Sequence, residues 1–109
     1  MSITIIPNIE EIRAISEEYN RKEIKNYIDQ IRTAIVNGIQ QDARNGHDRH
    51  IHTWMDTGKT NLTTRTSKNF HAALEQLQHE FEAEGYSFYI YYGGTYEGQK
   101  CISHVVIMW

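Results

Sequence analysis

Four of the six histidines stand where imidazoles can act together: His47, His50 and His52 crowd one short segment beside Asp48, and His104 lies in an apolar run near residue 109. Alternate positions of a strand point to the same side, so His50 and His52 are spaced to offer two imidazoles to one zinc, with His104 or a carboxylate completing the shell. That is the arrangement of a small metal-dependent hydrolase. No fixed-spacing metal motif such as His-Glu-x-x-His accompanies it, and histidines at an interface or surface are the alternative. His71 and His79 read as residues of a solvated helix face.

A second cluster suits phosphate. Thr57-Gly58-Lys59-Thr60 imitates the end of a P-loop, but the motif needs a glycine where this chain has Thr53 and a helix immediately after, so an NTPase is excluded. What remains is a run from Thr57 to Lys68 with Lys59, Arg65 and Lys68, many hydroxyls and no acid, leading into a helix N-terminus with free amide groups. The alternative is a solvated Thr-rich loop.

Aromatic residues supply the third cluster: Tyr86, Tyr89, Tyr91, Tyr92 and Tyr96, with Trp54 and Trp109 beside them in the inferred sheet. Such faces stack on nucleobases without demanding a particular base, while cations neutralise the phosphates. Together these parts make a small-nucleotide site in which Lys59, Thr60 and Arg65 hold phosphate and Trp54, Tyr91 or Trp109 stacks a base. Cross-strand packing is the competing use of the same rings. No nucleophile with a positioned base can be assembled from Cys101, scattered serines and these histidines, and Glu17, Glu18, Glu80, Glu82 and Glu84 read as solvated helix faces. Binding without catalysis or cofactor is the expectation.

The elements that must position these residues follow from local signals. Asn8 after Pro7 is an N-cap, with Glu10 and Glu11 in the first turn complementing the helix dipole. Ile9, Ile12, Ile15 and Tyr19 form one helical stripe. Ile24, Tyr27, Ile28, Ile31, Ile35 and Ile39 form another, centred roughly 150° away at about 100° per residue. Either the helix breaks near Asn20-Arg21-Lys22, or it is continuous and serves two different neighbours, one of them a sister subunit. Asn45-Gly46 is a stop signal. Arg49 to Met55 reads as a strand, Asp56 to Lys59 as a turn, and residues 60–64 as either a return strand or a loop. Ser67 or Thr66 caps a second helix with the stripe Phe70, Leu74, Leu77 and Phe81, ended by Gly85. Ser87 to Tyr92 and Cys101 to Trp109 read as a hairpin joined by a long loop from Gly93 to Gln99.

The expected fold is therefore α+β, with two helices, one long and N-terminal, on a small, mainly antiparallel sheet of three or four strands, in one domain spanning 1–109. Val105 to Trp109 is apolar on both parities, which predicts a strand covered on both faces. One cover is the helices. The other face, drawing on His50, His52, Trp54, Tyr89, Tyr91, Val106 and Met108, is too aromatic to sit bare on a small monomer, and predicts a homo-oligomer or a ligand pocket.

Composition bounds all of this. With 109 residues, 39% hydrophobic and 23% charged, the chain has the make-up of one globular domain. A net charge of -3 provides no basic field for long nucleic acid, and one cysteine permits no intrachain disulfide. No signal pattern and no apolar run of membrane-spanning length occurs, so a cytosolic protein is expected.

The layout resembles that of small accessory proteins of tailed bacteriophages. The residues that carry the likeness are Ile12 to Asn20 (Ile-Arg-Ala-Ile-Ser-Glu-Glu-Tyr-Asn), Ile-Val-Asn-Gly ending at Gly38, a strand, a second helix closing on Glu84-Gly85-Tyr86, and Val-Ile-Met-Trp at Trp109. Among such proteins are the anti-CBASS nucleotide sponges, oligomers that sequester a cyclic dinucleotide immune signal without cleaving it. The resemblance implies a phage immune-evasion protein in the host cytoplasm, tetrameric, holding its ligand at subunit contacts. Arg49 to Tyr96 departs from that pattern with a His-rich and Thr-rich insertion. A small phage structural or assembly protein without a ligand is the runner-up.

Overall fold

The Asn8 side chain accepts hydrogen bonds from the backbone N–H of Glu10 at 2.8 Å and of Glu11 at 3.2 Å, satisfying two of the donors that a helix start leaves open. From this cap helix α1 runs over Ile9–Arg44 in a computed structural model of the chain that describes residues 4–54 and 62–109. Of the two arrangements open at Asn20-Arg21-Lys22 the continuous one is found. The helix stops at Asn45, whose N–H returns to Gln41, and Gly46 takes the left-handed conformation, φ 81°, that the exit needs.

After strand β1, Arg49–Thr53, the chain reaches a short helix α2, Leu62–Thr66, and then helix α3, Lys68–Ala83. The short helix corrects the choice between strand and loop at residues 62–64, residues 60 and 61 lying outside the described residues. Its β-branched threonines favour extended structure locally, but the turn is closed by Ser67 N–H returning to the Thr64 carbonyl and held from outside by Arg65 Nη1 donating to the Ile102 carbonyl at 3.4 Å. There are thus three helices among the described residues, where two were expected. Ser67 caps α3, accepting from Phe70 N–H at 3.1 Å, and Gly85 at φ 96° follows its end.

Strands β2, Ser87–Tyr96, and β3, Gln99–Met108, complete an antiparallel sheet of order β1-β3-β2. The expected long loop from Gly93 to Gln99 is instead strand and a tight turn. Glu97 and Gly98 sit at φ 51° and 78°, the two positive values of a two-residue hairpin turn whose twist matches its strands. Gly93 and Gly94 had read as turn residues because of their type; here they lie within β2, where the pairing register shifts between Tyr91 and Thr95.

One sheet face carries the helices. Ile28, Ile31, Ile35 and Ile39 from α1 and Phe70, Ala73, Leu74, Leu77 and Phe81 from α3 bury against Phe88, Ile102, Val105 and Ile107. Arg32 joins the two helices through a forked contact with Glu80, at 2.6 and 3.0 Å from Nη2 and 3.1 Å from Nε. The fold is α+β with a small sheet. No helix among the described residues is long and apolar enough to cross a membrane.

The first half of α1 stands clear of this body, and the molecule measures 70 × 28 × 20 Å. Near the α3 N-terminus, Asn69 reaches α1 at Asn20 and Glu23, at 3.0 and 3.1 Å. Farther toward the N-terminus Ile9, Ile12, Ile15 and Tyr19 are exposed.

Candidate functional site

Pairing register places three rows of side chains on the sheet face that bears no helix. Thr53, His104 and Tyr91 form the first, Ile51, Val106 and Tyr89 the second, and Arg49, Met108 and Ser87 the third, each read from β1 across β3 to β2. Ile51, Tyr89 and Tyr91 are 57%, 48% and 46% exposed, so this face is open within the single chain. The expectation that β3 is covered on both sides is therefore met on one side only: His104, Val106 and Met108 are half-buried by their strand neighbours.

The first row holds the most ordered chemistry. The Tyr91 and His104 rings stack with centroids 4.7 Å apart and planes 8° from parallel. His104 is fixed from its other side by a hydrogen bond of 2.7 Å between Nδ1 and Ser103 Oγ, Ser103 being buried. Next along β2, Tyr92 faces Ile102 in the register; Lys100 Nζ lies 5.3 Å from its ring centroid and the His71 ring 5.9 Å away. The His71 Nε2–H donates to the Arg65 carbonyl at 3.1 Å, and Arg65 itself lies on the Ile102 carbonyl. Tyr92, paired with Ile102 and in contact with His71 of α3, belongs to the helix-covered side, so Lys100 and Arg65 gather at the hairpin end across the sheet from the open Tyr91–His104 row.

The residues expected to bind do not all meet there. Tyr91 is on the open face and Arg65 at the hairpin end across the sheet from it. Trp54 is 6% exposed, edge-on to Phe70 at 5.2 Å, so its ring is spent on the core and is withdrawn from the stacking set. Trp109 lies at the far end of β3, edge-on to Tyr86 at 6.4 Å, beside a shallow cavity of about 260 Å³ lined by Ile39, Ala43 and Gly85 among others. Lys59 and Thr60 lie outside the described residues. Lys100 was overlooked, because nothing in its sequence neighbourhood shows that the turn folds it back over Tyr92.

The histidines also divide. His50 and His52 pair with Ile107 and Val105 and share their helix-covered face, whereas His104 belongs to the open one. This corrects the expected grouping of His50, His52 and Trp54 with Tyr89 and Tyr91, and it separates the three imidazoles of the hydrolase reading. Among the described residues no three of His, Cys, Asp and Glu gather as a metal site. His50 Nδ1 is 2.7 Å from Asp42 Oδ2, which gives that ring a structural partner in α1. Burial, and then the neighbouring His50, hold the His52 imidazole below its ordinary value of 6.5, favouring the neutral ring.

No protein-family model, curated protein or solved structure matches this chain. The likeness to the phage nucleotide sponges rests on the residue pattern alone.

Proposed function

We propose that this is a non-catalytic binding protein that takes a small nucleotide of the cyclic dinucleotide class on its open sheet face and sequesters it, working as a homo-oligomer. The observation that carries the reading is the Tyr91–His104 stack. A ring already held parallel to its neighbour loses little freedom when a base lies on it, so less of the stacking energy is spent on ordering. Arg65, on the Ile102 carbonyl, and Lys100, over Tyr92, are the cations for phosphates that reach round the hairpin end from the open face, and their charge is local in a chain of net charge -3. Sequestration needs only planes and charges, which the described residues here offer. The phage immune-evasion role and the host cytoplasm belong to this proposal through the resemblance.

Calorimetric titration with cyclic dinucleotides tests it. Binding should weaken at least about fivefold in Tyr91→Ala, since stacking contributes about 1–3 kcal/mol per base, and also weaken in Arg65→Ala. Absence of heat with the unsubstituted protein rejects the reading.

The second row supports a different use. Ile51 and Val106 lie between Arg49 and Thr53 on the one side and Tyr89 on the other, an aliphatic strip suited to a subunit contact with no ligand. On that reading Ile51→Lys lowers the assembly mass and no nucleotide accompanies the purified protein.

A further inference from the structure

We infer that the free half of α1 is an arm that pairs antiparallel with the same arm of a second copy of this chain. The arm carries Ile9, Ile12, Ile15 and Tyr19 on one stripe, preceded by Ile5 and Ile6, and these six are between 46% and 89% exposed. The body cannot cover them: the core stripe of the same helix, Ile28 to Ile39, is centred roughly 150° away at 100° per residue, so the arm turns its apolar side away from α3 and the sheet. Ile12, Ile15 and Tyr19 follow the 3-4 spacing of a helix-pairing seam. The same stripe of a second copy covers these side chains, as no element among the described residues of one chain does.

Charge favours one direction over the other. Residues 10–18 hold Glu10, Glu11, Glu17 and Glu18 against Arg13, whereas residues 21–25 hold Arg21, Lys22 and Lys25 against Glu23. An antiparallel pair centred near residue 17 brings Glu10 and Glu11 of each copy beside Lys25 and Lys22 of the other, with Arg13 facing Arg21 and Glu17 facing its own copy. A parallel pair lays acid on acid and base on base, which costs affinity. At the crossing itself Glu18 is already paired with Lys22 of its own helix at 3.2 Å, which offsets the approach of two Glu18 residues. Ile12 then meets the aliphatic stem of the facing Lys22, and Ile15 meets Tyr19. The arm is separate from the open sheet face, so this pairing stands whether or not that face binds a nucleotide.

Light scattering on the full chain tests the pairing. The double variant Ile12→Glu, Ile15→Glu keeps good helix formers and should halve the mass of the assembly at unchanged helicity, while Glu75→Gln, exposed on α3, should leave the mass as it is. A lone 12.8 kDa subunit for the unsubstituted protein at 100 micromolar, or an unchanged mass for the double variant, overturns the proposal. Cysteine cross-linking tests the direction. Ser16→Cys, near the crossing, should oxidise to a covalent dimer. Ile9→Cys should not, because antiparallel arms hold the two copies of residue 9 about 20 Å apart or more by helix rise, far beyond disulfide reach. Efficient linking through Ile9→Cys would show parallel arms and refute the pairing as stated.

Discussion

Gly38 of α1 lies directly under the His50 ring of β1, so close that a Cβ added at Gly38 would overlap the imidazole. The His50 ring packs there against the bare helix backbone, and His50 is held in place by Asp42 one turn farther along α1. Alanine in place of a mid-helix glycine ordinarily stabilises by up to about 1 kcal/mol. Here the sign reverses: Gly38→Ala is expected to cost about 1–3 kcal/mol by overpacking. In a His50→Ala background the same change should become neutral or stabilising, and urea denaturation of the four proteins in that cycle measures the coupling.

His52 makes stability depend on pH. Its folded-state affinity for a proton is lowered, first by burial and then by His50. The unfolded chain therefore takes up the proton first as pH falls below about 6.5. The stabilisation from the neutral ring is complete above that value and is lost as pH drops through the lower folded value. His52→Leu should flatten this part of the melting-temperature profile between pH 7 and 5. A profile as steep as the parent's would assign the dependence to another group.

Arg32 and Glu80 join α1 to α3 in a forked geometry, yet both side chains remain about two-fifths exposed, at 40% and 38%. Solvent screening limits such a bridge to the order of 0.5–1 kcal/mol. Glu80→Gln should lower stability by no more than that, with the difference shrinking in 1 M salt. By contrast Leu74→Ala, at a fully buried position between the helices and the sheet, should cost about 2–5 kcal/mol.

Tyr91→Ala separates folding from the use of the open face. The ring is half exposed and touches His104 across the sheet surface, so its removal should cost less than about 1 kcal/mol of stability. A melting temperature within a few degrees of the parent's, measured beside the calorimetric titration, makes any lost binding attributable to the surface itself. A collapse of stability would instead make Tyr91 a packing residue.

Local signals carried much of the fold. Asn8, Ser67, Gly46 and Gly85 mark helix ends through side-chain oxygens or positive φ, properties of the residue type itself, and the stripe from Phe70 to Phe81 has a single period. What could not be read depended on distant partners. The helix at Leu62–Thr66 is anchored by Arg65 to a carbonyl 37 positions away in sequence. The division of His50 and His52 from His104 follows from the pairing of Thr53 with His104, a register that neither strand encodes alone. Of the expected binding residues, Trp54 was misjudged for a related reason: a tryptophan at the end of a polar strand looks available until Phe70 packs on it.

The central position of β3 has a consequence for how the molecule is made. Both β1 and β2 hydrogen-bond to β3, and β3 follows them in the chain. During vectorial synthesis a nascent chain that stops short of Gln99 can wind its helices but has no partner for either earlier strand. Some fifty residues after leaving the ribosome, Arg49–Thr53 is still waiting with an unsatisfied edge, a state that favours engagement by a chaperone. Sheet formation is thereby deferred and then completed in one step, as the last-made strand slots between the other two.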